Sequence, residues 1–157
     1  MNRRHFLTAS ASLAALGALT MKGAASEGNF EFTLTEAEWR ARLSPEAYRV
    51  LRQEATERPF TSPLNDEKRA GSFNCAGCAL PLYSSEAKYD SGTGWPSFWA
   101  AKEDAVRTRE DRKFFMVRTE VHCRRCGGHL GHVFDDGPAP TGKRHCINGV
   151  SLNFVEA

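Results

Sequence analysis

FNCAGCALPL, Phe73 to Leu82, and VHCRRCGGHL, Val121 to Leu130, decide how this chain is held together. Each carries a Cys-x-x-Cys pair, Cys75/Cys78 in the first and Cys123/Cys126 in the second. A two-residue gap lets both thiolates of a pair face one ion, and two such pairs close a tetrahedral zinc site. The gap between the pairs is longer than in a compact zinc ribbon, so the ligands join distant parts of the chain. Two disulfides or a redox-active dithiol are the competing uses of these residues. A redox dithiol usually opens a helix beside a strand, and neither pair sits in that pattern. One structural zinc per chain is the expectation.

The fifth cysteine, Cys146, stands alone in GKRHCINGVSLNF. Beside Arg144 and His145 it is a candidate nucleophile, because nearby cations favour the thiolate. Taken alone, a single Cys is more often an inert buried residue.

The N-terminus is not part of the fold. NRRHFL (Asn2 to Leu7) carries paired arginines, an Ala/Leu-rich run follows from Ala9 to Leu19, and small residues gather at Gly23, Ala24 and Ala25. This is a basic region, a short apolar region and a cleavage site. The apolar run is shorter than the about 20 residues that span a bilayer, so no stable membrane span is expected once the signal is removed. Arg-Arg followed by Phe-Leu looks like a twin-arginine export signal, with an ordinary Sec signal or a lipid-free anchor as the alternative. Residues 1–25 are therefore read as signal and 26–157 as one domain, periplasmic or secreted. Removing residues 1–25 takes away Arg3, Arg4 and Lys22, and the formal net charge goes from +2 to −1. No bulk charge is left to suggest nucleic-acid binding. A twin-arginine signal carries folded proteins, so the cysteines can load zinc before they meet an oxidising compartment.

Thr35-Glu36-Ala37-Glu38 reads as a capping box opening a helix from about Glu36 to Leu43. Ser44-Pro45 restarts a second helix with an apolar stripe at Tyr48, Leu51 and Ala55, ending before Pro59. Short strands and turns follow, with strand candidates at Phe114 to Val121, His129 to Phe134 and Ile147 to Val155. The fold class is mainly β: two small antiparallel sheets with two short N-terminal helices, stapled by a four-cysteine zinc site.

Other residues carry chemistry only as a group. His129 and His132 in GGHLGHVF are satisfied strand histidines, extra metal ligands, or partners at one site. At i and i+3 on a regular strand they point to opposite faces, so a shared site requires a bend, which Gly131 permits. Trp95 is core or the wall of a pocket. Arg144 is a solvated charge or a cation for the thiol. Asn148-Gly149 is a hairpin signal in its own right.

Taken together, SGTGWPSF (Ser91 to Phe98), GHLGHVF with the following DGPAPTG, the Arg144-x-Cys146-x-Asn148 block and both cysteine pairs resemble the methionine-R-sulfoxide reductases, the B-type family, in the family's own order. The resemblance runs from about Leu34 to Phe154. It implies that Cys146 is the catalytic nucleophile and Trp95 the aromatic wall for the sulfoxide methyl group. It implies that His129 and His132 surround the sulfoxide oxygen, that Asn148 and Arg144 are polar and cationic partners near the thiol, and that the Cys-x-x-Cys pairs hold structural zinc. A sulfoxide sulfur is electrophilic when its oxygen takes a proton, so a thiolate and an acid such as His are required. The product is methionine plus Cys146 sulfenic acid. Oxidised proteins or peptides are the implied substrates.

Two positions depart from the family pattern. Many relatives carry a resolving cysteine where this chain has Thr93, and Tyr or Phe where it has His145. With four cysteines committed to zinc, no resolving thiol is evident, and an external thiol or thioredoxin-like reductant is expected to reduce the sulfenic acid. A non-catalytic zinc-stabilised binding module and a thiol peroxidase are the competing readings. The first has no use for a reactive thiol beside Arg144, and the second none for a methyl-accepting Trp95.

Overall fold

The computed structural model describes residues 29–157; the segment read as an export signal, residues 1–25, lies outside the described residues. Helix α1 (Glu36–Arg42) begins at the capping box. The Thr35 hydroxyl accepts from the Glu38 amide at 3.3 Å, and the Glu38 carboxylate accepts from the Thr35 amide at 2.8 Å. Helix α2 (Pro45–Gln53) has Ser44 as its cap and Pro45 at the first position, where a backbone N–H has no intrahelical partner to lose. It buries Ala47, Tyr48, Val50 and Leu51. Glu54 ends it in the left-handed region (φ 55°), so Ala55 falls beyond the helix.

Nine strands follow among the described residues: β1 (Gly71–Cys75), β2 (Pro81–Ser84), β3 (Lys88–Tyr89), β4 (Ser97–Phe98), β5 (Val106–Asp111), β6 (Arg118–Cys123), β7 (His129–Phe134), β8 (Arg144–Ile147) and β9 (Leu152–Glu156). One sheet has the order β2-β1-β9, the other β3-β4-β8-β7-β6-β5. All pairings are antiparallel. The expected architecture, two antiparallel sheets preceded by two helices, is the one formed.

Aromatic side chains join the sheets. Tyr83 of β2 stacks on Phe98 of β4 with centroids 4.3 Å apart, and Phe73 of β1 meets Phe98 edge-on at 5.0 Å. All three are fully buried, and such pairs add about 0.5–1.5 kcal/mol each beyond area burial. No helix among the described residues is long and apolar enough to cross a membrane.

Two strand expectations shift. The stretch Phe114 to Val121 holds a tight turn, Lys113–Phe115, with Phe115 at φ 59°, and the strand begins only at Arg118. Ile147 to Val155 is not one strand. A single 3-10 turn, Gly149–Ser151, passes the chain from β8 in the larger sheet to β9 in the smaller. Asn148-Gly149 therefore makes an inter-sheet crossing rather than a hairpin.

Candidate active site and metal cluster

The two Cys-x-x-Cys segments fold into matching turns. In the first, the Ala79 amide donates to the Cys75 carbonyl at 2.8 Å and the Cys75 amide to the Leu80 carbonyl at 2.8 Å. In the second, the Gly127 amide donates to Cys123 and the Cys123 amide to Gly128, both at 2.9 Å. Ala79 and Gly127 both take left-handed conformations, φ 62° and 67°. The turns face each other, and the four ligand sulfurs lie within 4.8 Å of one another, all buried. Cys75 and Cys126 are 3.7 Å apart, Cys78 and Cys123 3.6 Å. Four sulfurs bound tetrahedrally at about 2.3 Å stand about 3.8 Å apart, whereas a disulfide needs about 2.05 Å. The four thiols are free and placed to hold one metal ion, in a geometry consistent with zinc. The helices seat here: Arg52 of α2 donates to the Cys126 carbonyl at 3.1 Å, and Arg42 of α1 to Gly77 at 2.6 Å.

The larger sheet builds the second site. Cys146 on β8 pairs with Ser97 of β4 on one side and His132 of β7 on the other. Directly opposed residues of an antiparallel pair share a face. One rung thus crosses six strands on one face: Tyr89, Ser97, Cys146, His132, Glu120 and Arg109. A pocket of about 110 Å³ opens beside it, lined by Trp95, Cys146, His132, Asn148, Phe134 and Arg118, with Thr56 and Gly131. His129 and Arg144 are not among its lining residues.

The bend that brings the two histidines together is a β-bulge. Val121 pairs with Gly131 but His122 with His129, leaving Leu130 as the extra residue. The odd residue reverses the parity, and the His129 and His132 rings stand 5.5 Å apart on the same side. Gly131 serves a different need from the one expected. A Cβ there would run into the Cys146 carbonyl oxygen, so only glycine lets β8 approach β7. Asn148 fastens the bulge. Its backbone and side-chain amides both donate to the Leu130 carbonyl at 2.8 Å, and its side-chain oxygen accepts from the Glu57 amide at 2.8 Å.

Each histidine is backed by a carboxylate. His129 Nδ1 lies 2.7 Å from buried Glu120, which also pairs with Arg109. His132 Nε2 lies 2.8 Å from Asp111, which also pairs with Arg118 at 2.7 Å. Burial pushes both carboxyls up. The bonds from His129 and Arg109 outweigh it at Glu120, and those from His132, the Lys113 amide and Arg118 hold Asp111 at about 2. Burial lowers the pKa of His132 below the usual imidazole range, with Asp111 opposing. Glu120, Asp111, Arg118 and Glu57 do not stand out in the sequence as site residues. Glu120 left a faint signal, an acid at an inward-facing strand position. Glu57 left none. It is buried in a loop, its carboxylate accepts from the Gly149 amide at 2.5 Å, and its carbonyl accepts from the Trp95 indole at 2.9 Å.

Around the nucleophile candidate the electrostatics differ from expectation. Burial raises the Cys146 thiol above its ordinary pKa, while the Thr93 hydroxyl and then Arg144 pull it down without cancelling the burial. Arg144 stacks over Phe134 at 4.4 Å and makes a bidentate pair with Asp136 at 2.8 Å. His145 is no cation for Cys146. Alternation along β8 sends it to the opposite face, against Tyr83, where burial and then Lys143 lower its pKa to about 4.

The SelR domain family matches residues 43–156. The peptide methionine sulfoxide reductase MsrB of Methanosarcina barkeri is 59% identical over 121 residues, 76% of this chain and 85% of that protein. That of Thiobacillus denitrificans is 59% identical over 121 residues, 76% of this chain and 92% of the relative. That of Pseudomonas putida is 57% identical over 122 residues, 76% and 91%. A match across one continuous stretch that contains both cysteine turns and the whole Cys146 rung leaves one conclusion: the chain belongs to the SelR domain family, that of the MsrB reductases.

Proposed function

We propose that this chain reduces methionine-R-sulfoxide in oxidised proteins or peptides to methionine, with Cys146 as the nucleophile. The observation that carries the reading is that the Cys146 thiol and the Trp95 indole share one pocket with His132. The indole face receives the sulfur-bound methyl group, since such groups pack well on aromatic rings. Cys146 attacks the sulfoxide sulfur, His132 gives a proton to its oxygen, and the oxygen passes to Cys146. Methionine leaves and Cys146 becomes a sulfenic acid, a two-electron exchange. In the protonated His132 ring one N–H is held by Asp111 and the other is free for the oxygen. His129 and Arg144 act from outside the pocket lining and Asn148 from its wall: His129 with Glu120 packs against His132, Asn148 fixes the bulge, and Arg144 favours the thiolate.

No resolving cysteine is proposed. Thr93 occupies that place, and the other cysteines serve one structural zinc ion. Two equivalents of an external thiol, or a thioredoxin-like reductant, return the sulfenic acid to thiol with loss of water and formation of a disulfide. Export by the twin-arginine route to the periplasm or beyond is proposed on Arg3-Arg4 and the apolar run. The function is tested with separated R and S epimers of a methionine sulfoxide peptide and dithiothreitol. Turnover of the R epimer alone, lost in Cys146→Ser with metal content unchanged, is expected; substantial activity in that variant refutes the assignment.

A further inference from the structure

The Cys146 thiol ends a chain of hydroxyl groups. Thr93 Oγ1 lies 3.8 Å from Cys146 Sγ and 2.8 Å from Ser91 Oγ, and Ser91 Oγ lies 2.7 Å from Ser97 Oγ. Ser97 Oγ is in turn 3.2 Å from the Trp95 carbonyl oxygen. Each hydroxyl has one proton to give and can rotate it, so the chain has two consistent arrangements. With Cys146 as a thiol, its S–H donates to Thr93, Thr93 to Ser91, Ser91 to Ser97, and Ser97 to the Trp95 carbonyl. With Cys146 as a thiolate every donor reverses: Ser97 donates to Ser91, Ser91 to Thr93, and Thr93 to the sulfur.

We propose that Thr93, backed by Ser91 and Ser97, is the hydrogen-bond donor that stabilises the reactive thiolate form of Cys146 against the cost of burial, a role open to it because this chain has a hydroxyl where a resolving thiol would stand. The proposal uses only the reading of Cys146 as nucleophile. Three features favour it. The donors are preorganised: Ser97 is buried on the rung beside Cys146, and the loop before Thr93 is pinned by the Gly92 amide donating to Asp90 at 2.8 Å. A chain of hydrogen bonds polarises its members, so the last donor is stronger than a lone hydroxyl. The cation on this side, Arg144, spends Nε and Nη2 on Asp136, whose negative charge opposes the help Arg144 gives the thiolate. The other titratable groups facing Cys146 are His132 from β7, Arg118 across the pocket with its partner Asp111, and Tyr89 along the rung from β3. Substitution at position 93 changes none of them.

The test is the pH dependence of Cys146 alkylation by iodoacetamide in the full-length zinc-loaded chain, with the modified residue located by peptide mapping. It needs no sulfoxide, so its result is independent of the substrate assignment. Thr93→Val keeps the shape and removes the donor. A lost hydrogen bond to a charged group should move the alkylation midpoint up by about one pH unit. Thr93→Ser should return it close to wild type, and Ser91→Ala should raise it by less than Thr93→Val. A Thr93→Val profile that superimposes on wild type, or one that Thr93→Ser fails to correct, overturns the proposal. If Thr93→Val does not fold, an unmoved midpoint in Ser91→Ala overturns it equally.

Discussion

Thr93→Cys should convert this chain from one that stops at a sulfenic acid to one that resolves it internally. The wild-type hydroxyl is already 3.8 Å from the Cys146 sulfur. A cysteine side chain at that position has to close to about 2.05 Å, a shift that a rotation about χ1 and a small movement of the Ser91–Trp95 loop can supply. The assay is a single turnover with R-sulfoxide and no reductant, followed by thiol counting in denaturant with a chelator. Wild type should fall from five thiols to four and carry one dimedone adduct. The variant, with one cysteine more than the native five, should lose two thiols and carry no adduct. Both should release one methionine per chain, because sulfenic acid and disulfide each account for two electrons. The new bond also closes a loop of 53 residues, so chain-entropy arguments give the oxidised variant about 4 kcal/mol more stability than its reduced form, less any strain. A variant that keeps the adduct and a single lost thiol refutes the contact between positions 93 and 146. A wild-type disulfide from Cys146 to any other cysteine refutes both the metal assignment and the recycling route.

Cys123→Ser opens the metal cluster on which both helices seat. It should lower zinc content and the denaturation midpoint before it alters any catalytic step, because a structural site contributes folding free energy; metal analysis beside urea titrations checks this. His145 has a folded pKa of about 4 against an ordinary 6.5. The unfolded chain therefore takes up the proton first, and as pH falls from about 6.5 to about 4 the native state should lose up to about 3 kcal/mol. His145→Phe should flatten that part of the stability–pH curve, and an unchanged acid limb would count against the buried neutral imidazole. Replacing Arg3 and Arg4 by Lys should trap the precursor inside the cell, which fractionation reads directly; export of the double variant through the Sec machinery contradicts the twin-arginine reading.

Local signals were legible wherever the physics is local. The Thr35/Glu38 capping box and Ser44-Pro45 set both helix starts because their hydrogen bonds span three residues. The Cys-x-x-Cys spacing announced the metal cluster for the same reason: each turn needs only its own few residues. The SelR motifs around Trp95, His129, His132 and Cys146 were readable as strings. What joins them was not. β4, β8 and β7 become neighbours only through sheet order, and that order brings Ser97, Cys146 and His132 onto one rung. Alternation by itself placed His129 and His132 on opposite faces. One extra residue at Leu130, tied down by Asn148 from 18 positions away, reversed that parity. Sequence neighbours were equally misleading in the other direction, since His145 adjoins Cys146 in the chain yet faces Tyr83 across the sheet. Glu120, Asp111 and Glu57 acquired their roles through long-range pairing and burial. A carboxylate's partner and its desolvation are properties of the packed state, so composition and spacing fixed which groups this chain brings to the site, while strand register and burial decided which of them touch and how they are charged.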